Sequence, residues 1–429
     1  MSDAIEEGPK KLLDVAVARN RLLDKFEPLG VEMIRIEDAN RRVVAQDITS
    51  PMDFPFFTNS AMDGFAVRVA DLHLATSEKP VTLDVVGDVP AGVDLSLKLG
   101  FGQAVRIMTG ASVPDGAEAI VPVEDTNFNY RTVGLDAPRS VEIKRPVQIG
   151  ENIRFKGEDI STGTMVIRAG DRIRPQGIGL LAMLGIPEIS VHHKPRVAIL
   201  SAGDELLPLD EPLTPGKIHD SNSFTLIALV REAGGVPVDL GIVDDNREMI
   251  RERMDKAISS EVDLILTSAG VSVGTFDFVR SVVEQHGQLD FWRVNMRPGK
   301  PLAFGRYGDI PFVGLPGNPV SAYVGFEVFV RAILRKLGGM ITWYRITQRV
   351  TLSESIESDG REAYLRAVVC KDADQMIAYL TGHQGSGNLH SLVQANALII
   401  IPSEVKYLPE NSLVDAWFIG DIPECGVCE

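Results

Sequence analysis

The chain has 429 residues, of which 45% are hydrophobic and 24% charged. That composition belongs to a folded globular protein, and the length exceeds what one hydrophobic core supports, so two to four domains are expected. A net charge of −16 excludes general binding to nucleic acid or to an anionic membrane surface. The N-terminus, MSDAIEEGPKK, lacks the apolar core of a signal peptide, and no stretch reaches the length of a spanning helix. The three cysteines, Cys370, Cys425 and Cys428, are too few for a disulfide framework. These features point to the cytoplasm.

In chain order, Lys11 to Phe26 places Leu12, Leu13, Val15, Ala16, Leu22 and Leu23 at the spacing of an amphipathic helix. Arg41 to Ile48 alternates as a strand does. It runs into SPMDFPFFTNSAMDGFAV, Ser50 to Val67, which is too rich in proline and turn residues for one regular element. From Val81 to Val147, short runs such as VTLDVVGDV, QAVRIMTG and AEAIVPVED alternate with glycine and proline, predicting a small, mostly β domain. A polar loop, Gly150 to Ile160, follows. A short helical pattern from Ile178 to Leu184 stops at Gly185 and Pro187. Met165 and Met183 read as core.

The character changes at Lys194-Pro195. RVAILSAGDEL reads as a buried strand running into a loop. Asp220-Ser-Asn opens a helix that Gly234 and Gly235 close. VPVDLGIV is a strand, and Arg247 to Ile258 a helix with Ile250, Met254 and Ala257 on one face. Leu264 to Leu266 is an apolar strand; a loop with Gly270 and Gly274 leads to a helix from Phe276 to His286. Phe312-Val313 feeds Gly314-Leu-Pro-Gly-Asn-Pro319 and a long helix, with Asn318 as N-cap and Pro319 in the first helical position. This alternation predicts a doubly wound, mostly parallel α/β sheet. Its ligands bind beyond the carboxyl ends of the strands, so SAGDE, VDDN, TSAGVSVGTFD and GLPGNP share one edge. Arg293, Arg297 and Lys300 stand around Pro298-Gly299, between the last two units. Glycine loops and helix N-termini beside such cations form an anion site. From Thr342 onward, RVTLSES, EAYLRAVV, QMIAYLTG, ALIIIPSE and DAWFIG predict a terminal β-barrel or sandwich.

Seven stretches, FFTNSAMDGFAV, RIMTGASVPDGAEAIVPVED, GENIRFKGEDI, ILSAGDEL, ILTSAGVSVGTFDF, MRPGKPLAFG and VGLPGNPVSA, resemble the molybdopterin molybdenumtransferase family. That family includes the bacterial MoeA proteins, the matching domain of the plant molybdenum insertase and that of animal gephyrin. With the β-rich tail, the resemblance spans Arg41 to Gly420. It implies an elongated N-terminal domain over 1–50 and 148–192, with a small β domain at 51–147 inserted into it. A molybdopterin-binding α/β domain at 193–340 and a C-terminal β-barrel at 341–429 complete the chain. It further implies a homodimer that inserts molybdate into adenylylated molybdopterin and releases AMP, with Mg²⁺ as cofactor. Each active site would lie between the α/β domain of one chain and the second domain of its partner. Molybdopterin adenylyltransferase and acceptor molybdoenzymes are the implied partners, with no nucleic acid and no membrane.

Molybdate is a dianion that must meet two thiolates, so a cation cluster is expected. Two unit charges 4 Å apart interact by roughly 4 kcal/mol at an effective dielectric near 20. Arg297 and Lys300 can converge across the Pro-Gly turn, and Arg293 stands near them. The resemblance adds the backbone of Pro301 and the side chains of Arg366 and Ser386. It draws Gly270, Ser272, Gly274, Gly314, Pro316, Gly317 and Asn318 to the substrate. It places the carboxylates Asp63, Asp159, Glu205, Asp245 and Asp277 at the cleft together with Thr109. Asp63, Glu205 and Asp277 are the expected Mg²⁺ ligands. The plainer readings are a solvated basic loop, a helix-terminus acid at Asp277, a turn aspartate at Asp63 and a strand end at Thr109. Arg297 stands where many family members carry lysine, and Arg293 where some do, which exchanges a point charge for a planar fork; Ala202 stands where threonine is frequent. Cys425-Gly-Val-Cys428 has metal or redox spacing, but a zinc site takes about four ligands, so it reads as an unstructured tail. His192 and His193 read as surface, and His383 and His390 as flanks of Ser386. An adenylyltransferase would need only residues 195–338, whereas SAMDG and GEDI favour the insertase. A clustering scaffold would favour a long linker or an extra domain.

Overall fold

The computed structural model describes residues 12–93, 97–128, 136–268 and 278–425, without the side chains of 290–292. Gly270, Ser272, Gly274, Asp277 and Cys428 are outside the described residues. The chain forms two compact units. One comprises the chain up to Gln46, Gly170–Arg174 and Glu188 onward; the other comprises Asp47–Ala169 and Pro175–Pro187.

The first unit is built on a six-stranded sheet. Its order is Val236–Val243, Arg196–Ala202, Leu264–Ser268, Ile310–Leu315, Pro301–Tyr307 and Gly287–Arg293. The first four strands are parallel; Pro301–Tyr307 runs antiparallel to both of its neighbours, so Gly287–Arg293 has the direction of the first four. The central strands read as unbroken apolar runs because both faces are covered. On one face, the helices Val15–Leu23, Asn222–Ala233 and Pro319–Leu337 share a core with Val197, Ile199, Leu264 and Val313. On the other, Arg247–Ser259 and Phe278–His286 pack on Ala198, Leu200, Ile265 and Phe312. Each helix boundary has a local cause. The Asp14 carboxylate accepts the Ala16 and Val17 amides at 2.9 and 3.3 Å. The helix therefore begins at Val15 rather than Lys11, and Leu13 instead bridges to Val294. Gly234 ends its helix at φ 101°, a left-handed conformation that favours glycine. The helix after Pro319 runs through a π turn at Phe326–Val330. Fully buried Glu327 there is held by Arg345 at 2.7 Å and by Arg331 at 3.7 Å.

The C-terminal strands close into a five-stranded barrel. The order is Glu362–Asp372, Gln375–Leu380, Thr347–Leu352, Leu413–Phe418, Ala397–Ile401 and back to Glu362–Asp372. Ala363, Leu365, Ala367 and Val369 alternate into its core. The cysteines correct one expectation. They form no framework, yet Cys370 and Cys425 are disulfide-bonded, and the tail around Cys425 hydrogen-bonds to the barrel.

The second unit holds a five-stranded sheet in the order Ala119–Pro122, Gly64–Val67, Gln103–Ile107, Val81–Val89 and Ser140–Ile143. Phe65, Val67, Leu83 and Val121 lie on one side of it; Ala66, Val89, Val105 and Ile120 lie on the other. The short helix runs Pro175–Met183. Met165 and Met183 are exposed rather than core. Arg41 to Ile48 is not one strand. Val43 and Val44 make single bridges to Arg172 and Val191, while Ile48–Thr49 pairs with Met165–Ile167. The alternation is genuine, but its partners change along the run.

Candidate active site

Three loops at the carboxyl ends of parallel strands are described in the first unit. After Arg196–Ala202 come Asp204 and Glu205, and after Val236–Val243 comes Asp245. The Asp204 carboxylate accepts the Asp245 amide at 2.9 Å. Burial raises the Asp245 pKa, and the carboxylates of Asp204 and Glu205 raise it further. Glu205 and Asp245 are thus brought together, with Asp204 between their loops. Asp204 was missed in the sequence because it sits inside SAGDE without a spacing of its own.

The third loop, Pro316 to Asn318, follows Ile310–Leu315. Gly314 is inside that strand, buried, with Thr267 paired on one side and Ala303 on the other. It is a ladder residue rather than an exposed loop amide. Asn318 occupies the N-cap position, and its side chain makes no capping bond. Asn222 holds this loop. Its side-chain amide donates to the Gly317 carbonyl at 2.7 Å and to Ser268 Oγ at 2.6 Å. Asp220 orders that helix start, accepting the Asn222 and Ser223 amides at 2.9 and 3.1 Å. Asp220 and Asn222 read in the sequence only as a helix opener; their burial is a tertiary fact. The Asp220 Oδ2, Ser201 Oγ and Thr267 Oγ1 atoms are buried without a protein partner among the described residues.

The cationic segment is fixed from two sides. Leu13 N–H donates to the Arg293 carbonyl at 3.1 Å, and Asn295 N–H donates to the Leu13 carbonyl at 2.7 Å. Met296-Arg297 pairs in parallel with Glu362-Ala363 at the start of a barrel strand. The Arg297–Pro298 bond is cis, and Val294 N–H donates to the Lys300 carbonyl at 3.1 Å. Arg293, Arg297 and Lys300 are exposed and Pro301 is half-buried. Arg293 and Lys300 make no ion pair among the described residues; Arg297 stands 3.7 Å from Asp359, which binds Arg361 more closely.

Arg366 lies four residues along the same barrel strand and is 0% exposed. Its guanidinium donates to the carbonyls of His383, Gln384 and Gly385 at 3.2, 3.3 and 3.0 Å, and to Ser391 Oγ at 3.0 Å. No carboxylate pairs with it among the described residues. Burial lowers its pKa, and the charge of Arg297 lowers it further. In this structure Arg366 organises the 383–385 turn and makes no exposed surface for a ligand. Ser386, half-buried, follows that turn, and its carbonyl accepts the Val320 amide at 3.1 Å. The barrel turn is thereby joined to the helix that begins at Pro319. His383 and His390 are exposed.

In the second unit, Asp63 and Thr109 meet. Asp63 Oδ1 accepts both the Thr109 amide and its hydroxyl at 2.7 Å. These bonds hold the carboxyl below its ordinary pKa. Gly64 next to it is obligatory, since a Cβ there would lie 2.0 Å from the Val121 carbonyl oxygen. Asp159 is exposed on a separate turn, anchored by its amide on the Phe54 carbonyl at 3.1 Å. The acids described in the two units are oxygen donors, which suit a hard cation. Among the described residues, no three His, Cys, Asp or Glu side chains gather in ligating geometry. No described helix is long and apolar enough to cross a membrane.

Comparison with known proteins agrees over most of the chain. Residues 13–185 match the MoeA N-terminal region (domain I and II), 198–336 a probable molybdopterin binding domain, and 349–419 the MoeA C-terminal region (domain IV). The chain is 39% identical to a molybdopterin molybdenumtransferase of Nostoc sp., over 86% of this chain and 85% of that one. It is 36% identical to the enzyme of that name from Haemophilus influenzae, over 92% and 95% of the two chains. A crystal structure of the molybdopterin biosynthesis MoeA protein from Pyrococcus horikoshii superposes with a TM-score of 0.80 at 29% identity, covering 95% of this chain and 100% of that one. With these relatives and with its α/β and barrel architecture, the chain belongs to the molybdopterin molybdenumtransferase family.

Proposed function

We infer that this enzyme inserts molybdate into adenylylated molybdopterin and releases AMP. The observation that carries this reading is the segment Arg293–Lys300, whose three cations are exposed in a chain of net charge −16 and which pairs with the barrel strand that holds Arg366. Arg297 and Lys300 bind the oxyanion, and the Pro301 backbone and Ser386 orient it. Arg366 adds an uncompensated positive charge and fixes the turn that presents Ser386. The Pro316–Asn318 loop, held by Asn222, receives the pterin side. Mg²⁺, bound by oxygen donors, would neutralise phosphate as the phosphoanhydride breaks. Glu205 is the described acid in the first unit for that role. Asp63 from the second unit and Asp277, which is outside the described residues, would complete the set. Asp63, held ionised by Thr109, suits a cation, whereas Asp245, pushed toward its protonated form, suits holding a proton. The working form is a homodimer in the cytoplasm, receiving its substrate from the adenylyltransferase and passing its product to acceptor molybdoenzymes.

The test is to incubate the purified protein with adenylylated molybdopterin, Mg²⁺ and molybdate, and to follow AMP release and metal insertion. Lys300→Ala should lose molybdate affinity by calorimetry while melting like the parent, because Lys300 is exposed and packs in no core. Equal affinity in variant and parent would remove Lys300 from the site.

A further inference from the structure

A second cationic cluster stands at the other edge of the first unit's sheet. Lys194 precedes the strand Arg196–Ala202, and Gly234 precedes Val236–Val243. Both line a small pocket at the amino ends of these strands. The loops of the candidate active site leave the carboxyl ends, roughly 20 Å away along a strand of this length. The charged and titratable lining of the pocket is Arg41, Arg42, His192, His193, Lys194 and Arg335, and no carboxylate among the described residues lines it. Glu32 is taken up by Arg42 and His193. Arg172 lies behind Arg41, its Nε donating to the Arg41 carbonyl at 3.3 Å.

The charges do not balance here. Glu232 and Glu327 pair with Arg331 and Arg345. Arg41, Arg172, Lys194 and Arg335 have no ion pair among the described residues, in a chain of net charge −16. Burial lowers the Arg335 pKa to about 10, and the charges of Arg331, Arg172 and Arg345 lower it further. Burial and the charges of Arg41 and Arg331 lower that of Arg172. The Nε atoms of Arg42, which is 8% exposed, and of Arg335 are buried without a protein partner among the described residues. Arg41 is held at φ 64°, a left-handed conformation that costs a non-glycine residue energy. Its amide donates to the Ile173 carbonyl at 2.9 Å, which fixes the turn. Repulsion and strain at one place are offset when an anion binds there.

We propose that this pocket binds one tetrahedral oxyanion, of the sulfate or phosphate class, on the side of the sheet opposite the substrate loops. Arginine forks and a lysine offer donors only, which suits a fully charged oxyanion. The cavity, about 20 Å³, takes one such ion and no nucleotide. Bound there, the ion ties the Arg41 turn to the start of the strand Arg196–Ala202 and to the end of the helix that carries Arg335.

The test titrates the full-length protein with sodium sulfate or sodium phosphate, in separate arms, against sodium chloride of equal ionic strength, so that general screening cancels. Calorimetry reads affinity and tells which ion binds tighter; hydrogen exchange reads the place. Either ion should raise the melting temperature above its value in chloride and slow exchange about threefold or more over 41–44 and 338–340. Arg41→Gly keeps the fold, because glycine suits φ 64°, and should weaken binding by about fivefold or more. Arg335→Gln should weaken it similarly. Lys300→Ala removes a cation of the candidate active site and should leave the protection over 41–44 in place. Protection equal in chloride, or confined to 293–300, would overturn the proposal. So would parental affinity in both Arg41→Gly and Arg335→Gln. If these variants shift the oligomeric state in sedimentation while neither ion protects 41–44, the cations face a second copy of the chain and the proposal falls.

Discussion

Asp245 and Arg366 illustrate what individual residues contribute at this site. Asp245 is half-buried beside Asp204 and Glu205, and its pKa is raised by that partial desolvation and by their charges. A carboxyl with a raised pKa stabilises the fold only below its unfolded pKa, and that contribution is lost as pH rises through the folded one. Asp245→Asn should therefore raise the melting temperature at pH 7 by about 1–3 °C. The gain should vanish below about pH 4, where both states are protonated. AMP release should fall at the same time, because the repulsion is retained for function. Calorimetry at the two pH values checks the sign; a destabilised variant at pH 7 would mean that the carboxylate is paired. Arg366 has four donors on three carbonyls and a hydroxyl, a pattern lysine cannot reproduce. Arg366→Lys should cost about 1–3 kcal/mol of stability and raise hydrogen exchange across 383–388 while it weakens molybdate binding. Unchanged exchange in that segment would show that Arg366 acts by charge alone.

Elements are set in place by contacts that local sequence does not encode. The Gly64–Val67 strand lies so close to Ala119–Pro122 that Gly64 has no room for a side chain. Gly64→Ala should destabilise the protein by about 1–3 kcal/mol, since backbone must move. It should also displace Asp63 from Thr109, so activity should fall more than stability explains. A parental melting temperature would show that the strands separate without penalty. The helices were readable from their caps and apolar spacing because those causes are local. The pairing of Met296-Arg297 with Glu362-Ala363 was not readable. Two-residue strands carry no periodicity, and their partners are far away in sequence.

At the scale of the molecule, the family resemblance implies an active site shared by two chains. Mixing inactive Asp63→Ala and Lys300→Ala chains should then restore roughly one good site per mixed dimer. No activity in a mixed dimer confirmed by native mass spectrometry would place both residues in a single chain's site. The sequence by itself determined the α/β alternation, a β-rich C-terminal region that it left open between barrel and sandwich, the order of the strand-to-helix loops and the cationic segment between them. Hydrophobic period, glycine and proline punctuation and charge are properties of neighbouring residues, so they survive without coordinates. Only the tertiary structure decided that Arg366 is enclosed by its own loop, that Asn222 braces Gly317, that Asp63 binds Thr109 and that Cys370 meets Cys425. Each of these joins groups distant in sequence, and burial and hydrogen bonding between such groups exist only once the chain has closed on itself.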